Sequence, residues 1–504
     1  MFRIIYLLFL ISKYYLVYLL SKRGLVQYSP YKLIKKFFEE AGGAFVKFGQ
    51  ILALRVDVLP KNVSLELFDL FDNYKPFPYE YVKQIFREEL GIYPEKIFNY
   101  FEKVPFAAAS FAQVHGAKLK NGETVVVKIQ RPDVMEKITV DFFLIDLLSV
   151  VADLFFKIEA LPWREFAKEF KIWTRKELDY QLEAENMQKI YNNLLLNKIT
   201  DVIIPKIYHR VSTKKILVQE YIDGIPLSRA LREIRKGSLD AEKLKKMGID
   251  IKKTPVTMMT EILREYFIDG FFHADPHPGN ILLLNGNRIG IVDFGIVGES
   301  APRRNAFMKF LLAGAKSKYE KSQKIYEDIG YYFLQFSGTH LEQIMSSALP
   351  ANISQKRIDD FMKILTNHFV EYEKQMEMQI RKDLEVMKID YTTMILQTLK
   401  FVHRYQIKLP KQMVVFIRTL SIMGFLAKEM DYNFNASQTI INFFKKYPES
   451  KLPALDSVVI PYKRMNREEA IDRLNNWLAY LVEIDPKLYQ LVNNYVTQYN
   501  FITV

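Results

Sequence analysis

The sequence predicts an α+β fold of two lobes, a small strand-rich one followed by a larger helical one, with a helical extension before the first and extra helices after the second. Three observations predict it. The strand-like runs Ser110–Leu119 and Glu123–Gln130 flank Lys120-Asn121-Gly122, a tight hairpin turn. A long stretch of helical periodicity over 137–195 separates them from further strand-like runs at Ile203–His209 and Lys215–Tyr221. Residues 255–430 are then mostly helical, interrupted only by short strands at Asn280–Leu284 and Arg288–Val292.

At 504 residues the chain is long enough for several units, and 49% hydrophobic with 26% charged residues supports a core of ordinary size. The formal net charge of +13 favours an anionic partner: nucleic acid, an anionic membrane surface or nucleotide phosphate. The charge is spread along the chain, with no zinc-finger spacing, RNP-like strand or long basic tail, so no nucleic acid is expected. The absence of cysteine excludes disulfides, thiolate metal sites and cysteine nucleophiles.

In order, the expected segments are a hydrophobic N-terminal helix (1–24), a helical extension (25–100), a strand-rich lobe with a helical insertion (101–224), a helical lobe (225–440) and a tail (441–504) whose last helix runs near Arg467–Val482, bounded by Pro461 and Pro486. From Ile4 to Leu20 the sequence is almost wholly apolar, with Ser12 and Lys13 the interruptions. Seventeen residues lie at the short end of a bilayer span, and the tyrosines suit an interfacial helix equally well. A buried core helix is the third reading. Ser21-Lys22-Arg23 follows where a cleaved leader would have small residues, and the two cations would hold the rest of the chain on the cytoplasmic face of a membrane. The extension is broken near Pro60, Pro76–Pro78 and Gly91–Pro94.

The chemistry concentrates in Gly270–Asn280, which contains His273-Ala274-Asp275, and in Asp293-Phe294-Gly295. Asp275 and Asn280 have the spacing of a base aspartate and a metal-binding asparagine in protein kinases, and the D-F-G aspartate, here Asp293, supplies the second metal ligand. Asp293 follows Asn280 by thirteen residues. Two short strands joined at Asn285-Gly286-Asn287 bring both to one end of a hairpin. Oxygen ligands there suit magnesium. Each motif alone is short and common; their order and spacing carry the inference. A His/Asp metal hydrolase built on His273, Asp275 and His277 lacks further ligands, and prolines on both sides of His277 bar a helical zinc site. His273 reads as a buttress of the loop.

Lys128 closes the run Val125-Val126-Val127, so it points off a buried strand toward an acidic partner, for which Glu183 is the candidate. Phe106–His115, with Ala107, Ala108, Ala109 and Ser110, occupies the place of a glycine-rich phosphate loop. Alanine restricts that loop's backbone.

Together these residues resemble the UbiB/AarF atypical kinase family, which is tied to ubiquinone and isoprenoid-lipid metabolism. The resemblance covers roughly 35–430. The family's K-x-G-Q signature matches Lys47-Phe48-Gly49-Gln50, followed by the family-like Arg55–Pro60; its E-x-D signature matches Glu177-Leu178-Asp179, and its lysine-pairing glutamate matches Glu183. The resemblance implies a protein-kinase-like fold. It places ATP between Lys128, the alanine-rich loop and a hinge at Glu220-Tyr221-Ile222, magnesium on Asn280 and Asp293, and Asp275 beside the attacking group. It gives Lys47, Gln50, Glu177 and Asp179 a regulatory role, with the K-x-G-Q helix folded over the nucleotide cleft so that Lys47 and Gln50 face Glu177 and the phosphate site. It also implies a membrane lipid, or an isoprenoid or quinone intermediate, as partner. Many members have glycine where Ala112 stands, which leaves phosphoryl transfer and ATP hydrolysis both open. A protein kinase acting in trans and a nucleotide-binding scaffold remain as alternatives.

Overall fold

The computed structural model describes residues 2–25, 29–53, 75–155, 163–301, 303–320, 322–337, 409–452 and 466–498, with isolated residues and short stretches between them. The family-like Arg55–Pro60 lies outside the described residues. The chain forms two compact units, one of Met1–Thr254 with His273–Val297, the other of Pro255–Phe272 with Gly298–Val504.

Two cores are described among the residues of the first unit. One lies under an antiparallel sheet in the order β1 (Phe98–Phe101), β3 (Ala112–Leu119), β4 (Thr124–Gln130), β6 (Ile216–Glu220), with β2 (Ala107–Ala108) paired on β3. Strand alternation decides what faces it: Val125, Val127 and Ile129 of β4 point into the core, which leaves Val126 and Lys128 on the opposite face. Helix α4 (Tyr79–Leu90) covers the core with Val82, Ile85 and Phe86 and ends at Gly91, whose φ of +72° terminates it in the left-handed region. Read from sequence as part of the extension, this helix packs instead with the sheet.

The second core joins the extension to the insertion. Helices α1 (Phe2–Lys22), α2 (Pro30–Ala41) and α3 (Ala44–Ala53) pack with α5 (Val134–Phe155) and α6 (Trp163–Glu177) through residues such as Leu10, Phe45, Phe142 and Phe170. Phe48 sits edge-on against both Phe166 and Phe170. Helix α7 (Tyr180–Leu196) completes the insertion.

A second sheet runs β5 (Val202–Ile203), β10 (Arg288–Ile291), β9 (Ile281–Leu284), β7 (Ile225–Pro226). The three-residue turn Asn285-Gly286-Asn287 joins β9 to β10, with Gly286 and Asn287 at positive φ, a conformation that glycine and asparagine tolerate best. The predicted strand Ile203–His209 shrinks to β5. Its partner β10 offers only Ile289 and Gly290, and Ile207 makes an isolated bridge to Gln219 instead.

In the second unit, α10 (Thr254–Arg264) continues into a π-helical turn, Glu265–Asp269, stopped at Gly270. Arg264 is buried and clamped between Glu261, at 2.7 Å, and Asp269. Tyr266 stacks on Phe416 of α13 (Lys411–Met430) at 3.7 Å, beside Phe307 of α11 (Arg304–Lys316). Helices α12 (Gln323–Ser337) and α14 (Ala436–Lys446) pack in the same unit. The expected last helix near Arg467–Val482 is α15 (Arg467–Ile484), but it is not the last: α16 (Pro486–Gln498) follows. Pro486, read as a terminator, starts that helix, where its missing N–H costs nothing, and the Asp485 side chain caps it by accepting from the Leu488 N–H at 3.0 Å.

Candidate active site

Beside β4, a cavity of about 760 Å³ opens within the first unit, in the range of small-molecule sites. Its walls come from β4, the β2–β3 turn, the segment after β6, helix α3, and the loops that carry Asp275, Asn280 and Asp293.

Lys128 sits at its base. The Nζ donates to both oxygens of Glu183, at 3.1 and 3.0 Å, and to Oδ2 of Asp293 at 2.9 Å, and lies 5.1 Å from the Tyr180 ring centre. One ammonium thus serves two carboxylates. Burial opposes its charge, but Asp293 and Glu183 outweigh that and hold the amine protonated well above its usual range. The carboxylates divide unequally. Burial and then the Asp293 charge push Glu183, which is fully enclosed, up to about 7. Asp293 is also penalised by burial, yet the Lys128 and Lys47 charges and the Gly295 N–H keep it ionised far below the ordinary value. Glu183 does not itself line the cavity; it stands behind Lys128.

The β9–β10 hairpin sets the acidic loops together. Ile281 faces Ile291, and the Val292 N–H donates to the Asn280 carbonyl at 3.0 Å, which puts Asn280 beside Asp293. Asn186 of α7 donates to the Phe294 carbonyl at 3.0 Å and fixes the D-F-G segment from the other side. The His277 Nδ1 accepts the Gly279 N–H at 3.0 Å, so the ring is neutral and carries its proton on Nε2. Burial, aided by Lys47, lowers His277 to about 3, and burial lowers His273 to about 4. A Cβ on Gly279 would meet the His277 ring at 3.0 Å, so a side chain there would force the ring to give way. His273 packs 5.0 Å from the Phe294 ring, the position of a buttress.

Helix α3 forms the opposite wall. Lys47 pairs with Glu177 at 2.8 Å, and Gln50 lines the cavity one turn on. Burial raises Glu177 despite that lysine, and its second oxygen is buried with no hydrogen-bond partner among the described residues. Gly49 allows the helix in: a Cβ would stand 2.7 Å from Leu70 and 2.9 Å from Phe38.

Among the alanine-rich residues, Ala107, Ala109 and Ser110 line the cavity, whereas Ala108 does not. Ala109 donates to the Ala112 carbonyl at 2.8 Å, and its own carbonyl accepts from Arg131 at 2.9 Å. No residue of this turn has positive φ, so alanine costs it no strain, and Ala112 is a buried residue of β3 paired with Gln130. Glu220 and Ile222 border the cavity. Asp179 does not: it caps α7 by accepting from the Gln181 N–H at 3.1 Å.

Sequence reasoning missed Tyr180, Gln219, Arg229 and Arg232, which line the same cavity. Tyr180 follows the E-x-D signature and Gln219 is polar in an apolar strand, two signals that could have been read. The arginines, one turn apart on α8 (Leu227–Arg235), look like solvated face by pattern alone.

The ABC1 atypical kinase-like domain matches residues 69–326. Similar proteins include the "Uncharacterized protein in hydrogenase 1 5'region" of Clostridium pasteurianum, 31% identical over 70% of this chain and 66% of its own. Protein ACTIVITY OF BC1 COMPLEX KINASE 8, chloroplastic, of Arabidopsis thaliana is 35% identical over 58% of this chain and 36% of its own. The chain therefore spans between about a third and two thirds of the length of these relatives. The structure of an Rv3197–erythromycin complex from Mycobacterium tuberculosis aligns over 82% of this chain and 94% of that one, with a TM-score of 0.46 and 21% identity.

Proposed function

This chain belongs to the ABC1 atypical kinase-like family, as its motifs indicated, and on that premise we propose that it binds ATP with magnesium and uses it for phosphoryl transfer or hydrolysis. The observation that carries the reading is the Lys128 ammonium held between Glu183 and Asp293 at the floor of a nucleotide-sized cavity that also presents Asp275 and Asn280.

The donor set fits the ion: Asn280 and Asp293 offer oxygen only, adjacent across one hairpin end, which suits a hard divalent cation. When bound, magnesium neutralises charge on the phosphates. Asn280 and Asp293 would hold the cation, and Lys128, kept in place by Glu183, would bind a phosphate oxygen. Asp275 orients the attacking hydroxyl or water and accepts its proton, a role worth typically ~10²–10⁴-fold in rate. Lys47 and Gln50 line the cavity, and the motif resemblance has their helix restrict entry of protein substrates, which favours a small acceptor or water over a peptide.

The motif resemblance and the apolar helix α1 support two further parts of the reading. The chain works at the cytoplasmic face of a membrane, and its output is coupled to a quinone or isoprenoid-lipid intermediate. Helix α1 is long and apolar enough by length and composition to cross a bilayer.

The deciding experiment is phosphate release from ATP and magnesium by the full chain, with and without liposomes containing isoprenoid lipid, beside Asp293→Asn. We expect turnover that liposomes raise and that falls at least about a hundredfold in the variant. Nucleotide binding without turnover in every condition would leave a nucleotide-binding scaffold.

A further inference from the structure

Helices α1 and α5 of the first unit carry apolar residues on every side, interrupted by Arg3, Lys13 and Lys22 in α1 and by Glu136, Lys137, Asp141, Asp146 and Asp153 in α5, a pattern that points to burial on several sides or contact with lipid. In both, one face is used. Leu7, Leu10 and Tyr14 of α1, and Ile138, Phe142 and Ile145 of α5, enter the same core. The other face is bare. Helix α1 exposes Ile5, Leu8, Phe9, Tyr15 and Leu16, and α5 exposes Val140, Phe143, Leu147, Val150 and Leu154 at successive turns. Phe143 is 62% exposed and Leu154 73%. Such faces are far more apolar than a solvated helix carries.

The charges around these faces are arranged for a surface without water. Four acidic groups on or beside the two helices each hold a cation: Asp141 binds Arg3 at 2.8 Å, Glu40 binds Lys13 at 2.7 Å, Asp153 binds Arg164 at 3.0 Å and Asp146 binds Lys171. The basic ends stay open, with Lys22 and Arg23 exposed where α1 stops. That balance is complementary to anionic headgroups over a hydrocarbon layer. A second copy of the chain would cover one strip of α1, whereas its bare side wraps most of the helix.

The pairing of α1 also fixes its orientation. Arg3 reaches α5 through Asp141. Tyr6, Lys13 and Tyr14 all bond Glu40 of α2, so α1 lies against α2 along much of its length and could cross a bilayer only by leaving its own core. We propose that α1 lies in the plane of an anionic membrane surface and does not span it, and that the outer face of α5, from Val140 to Leu154, is a second lipid contact.

This rests on the membrane part of the proposed function and is separable from nucleotide chemistry. The chain has no cysteine, so Leu8→Cys and Leu147→Cys each create a unique site for an environment-sensitive fluorophore. The full chain is mixed with phosphatidylcholine vesicles with or without phosphatidylglycerol. Both labels are expected to report an apolar environment on anionic vesicles and to be quenched by bromine placed near the headgroup rather than at the bilayer centre. Phe143→Asp with Leu147→Asp, on an exposed face, should weaken vesicle binding more than about tenfold and leave ATP·magnesium affinity unchanged. Three results would overturn the proposal: a Leu8 label quenched at the bilayer centre, a Leu147 label that stays in water, or a lipid-free dimer that the α5 double variant dissolves. Absence of ATP·magnesium binding by the unmodified chain would instead count against the kinase reading.

Discussion

At the scale of residues, the site is governed by which buried group keeps a proton. His273 and His277 stay neutral down to about 4 and about 3, below the 6.5 of an unfolded histidine. The unfolded chain therefore binds their protons first. The stability these neutral rings contribute is fully present above about pH 6.5 and is lost as pH falls toward 4 and 3. Glu183 runs the other way. Its folded value of about 7 exceeds the unfolded 4.5, so its contribution is fully present below 4.5 and declines as pH rises to 7. Two rings outweigh one carboxyl, so the melting temperature should climb from pH 4.5 to about 6.5 and then dip slightly toward neutrality. Glu183→Gln should remove the dip and keep the climb, which a thermal-shift series across pH would read. The same variant should weaken ATP·magnesium binding several-fold, because an amide holds Lys128 less firmly than a carboxylate.

At the scale of elements, glycine and proline explain both what was legible and what was not. The Asn285-Gly286-Asn287 turn was readable because residues that accept positive φ are rare, and it fixed the approach of Asn280 to Asp293. The valine run of β4 was readable because alternation leaves a lysine at its end on the opposite face. Pro486 misled because proline both ends and begins helices; the capping Asp485 before it was the discriminating signal. The strand β1 was hidden by its length of four residues. Gly49 marks a close approach that composition cannot show. Gly49→Ala should destabilise the chain by about 1–3 kcal/mol, seen as a lower urea midpoint, since Phe38 and Leu70 must both move.

At the scale of the whole molecule, the two-lobed layout and the kinase-like family were visible in the order and spacing of the motifs. The packing of the N-terminal extension against the insertion, such as Arg3 on Asp141, was not, because it joins residues far apart in sequence; the motif resemblance alone implied that Lys47 faces Glu177, and the two pair at 2.8 Å. That pair can be tested as a coupling. Lys47→Ala alone should cost about 1–3 kcal/mol, because it strands a half-buried carboxylate, and adding Glu177→Gln should restore most of the loss. A double-mutant cycle by chemical denaturation reads the difference, and additive losses would mean that the pair is not coupled.

The single ammonium shared by Glu183 and Asp293 has a consequence for the order of events. Without ligand the trio is already neutralised to within one negative charge. A fully ionised nucleotide arriving alone would compete with two resident anions for one lysine. Arriving with its cation, it brings the positive charge that Asp293 needs once the lysine turns away. Under the proposed function, the two should therefore enter and leave as a pair. Stripping the cation from a loaded complex with a chelator should then speed nucleotide release.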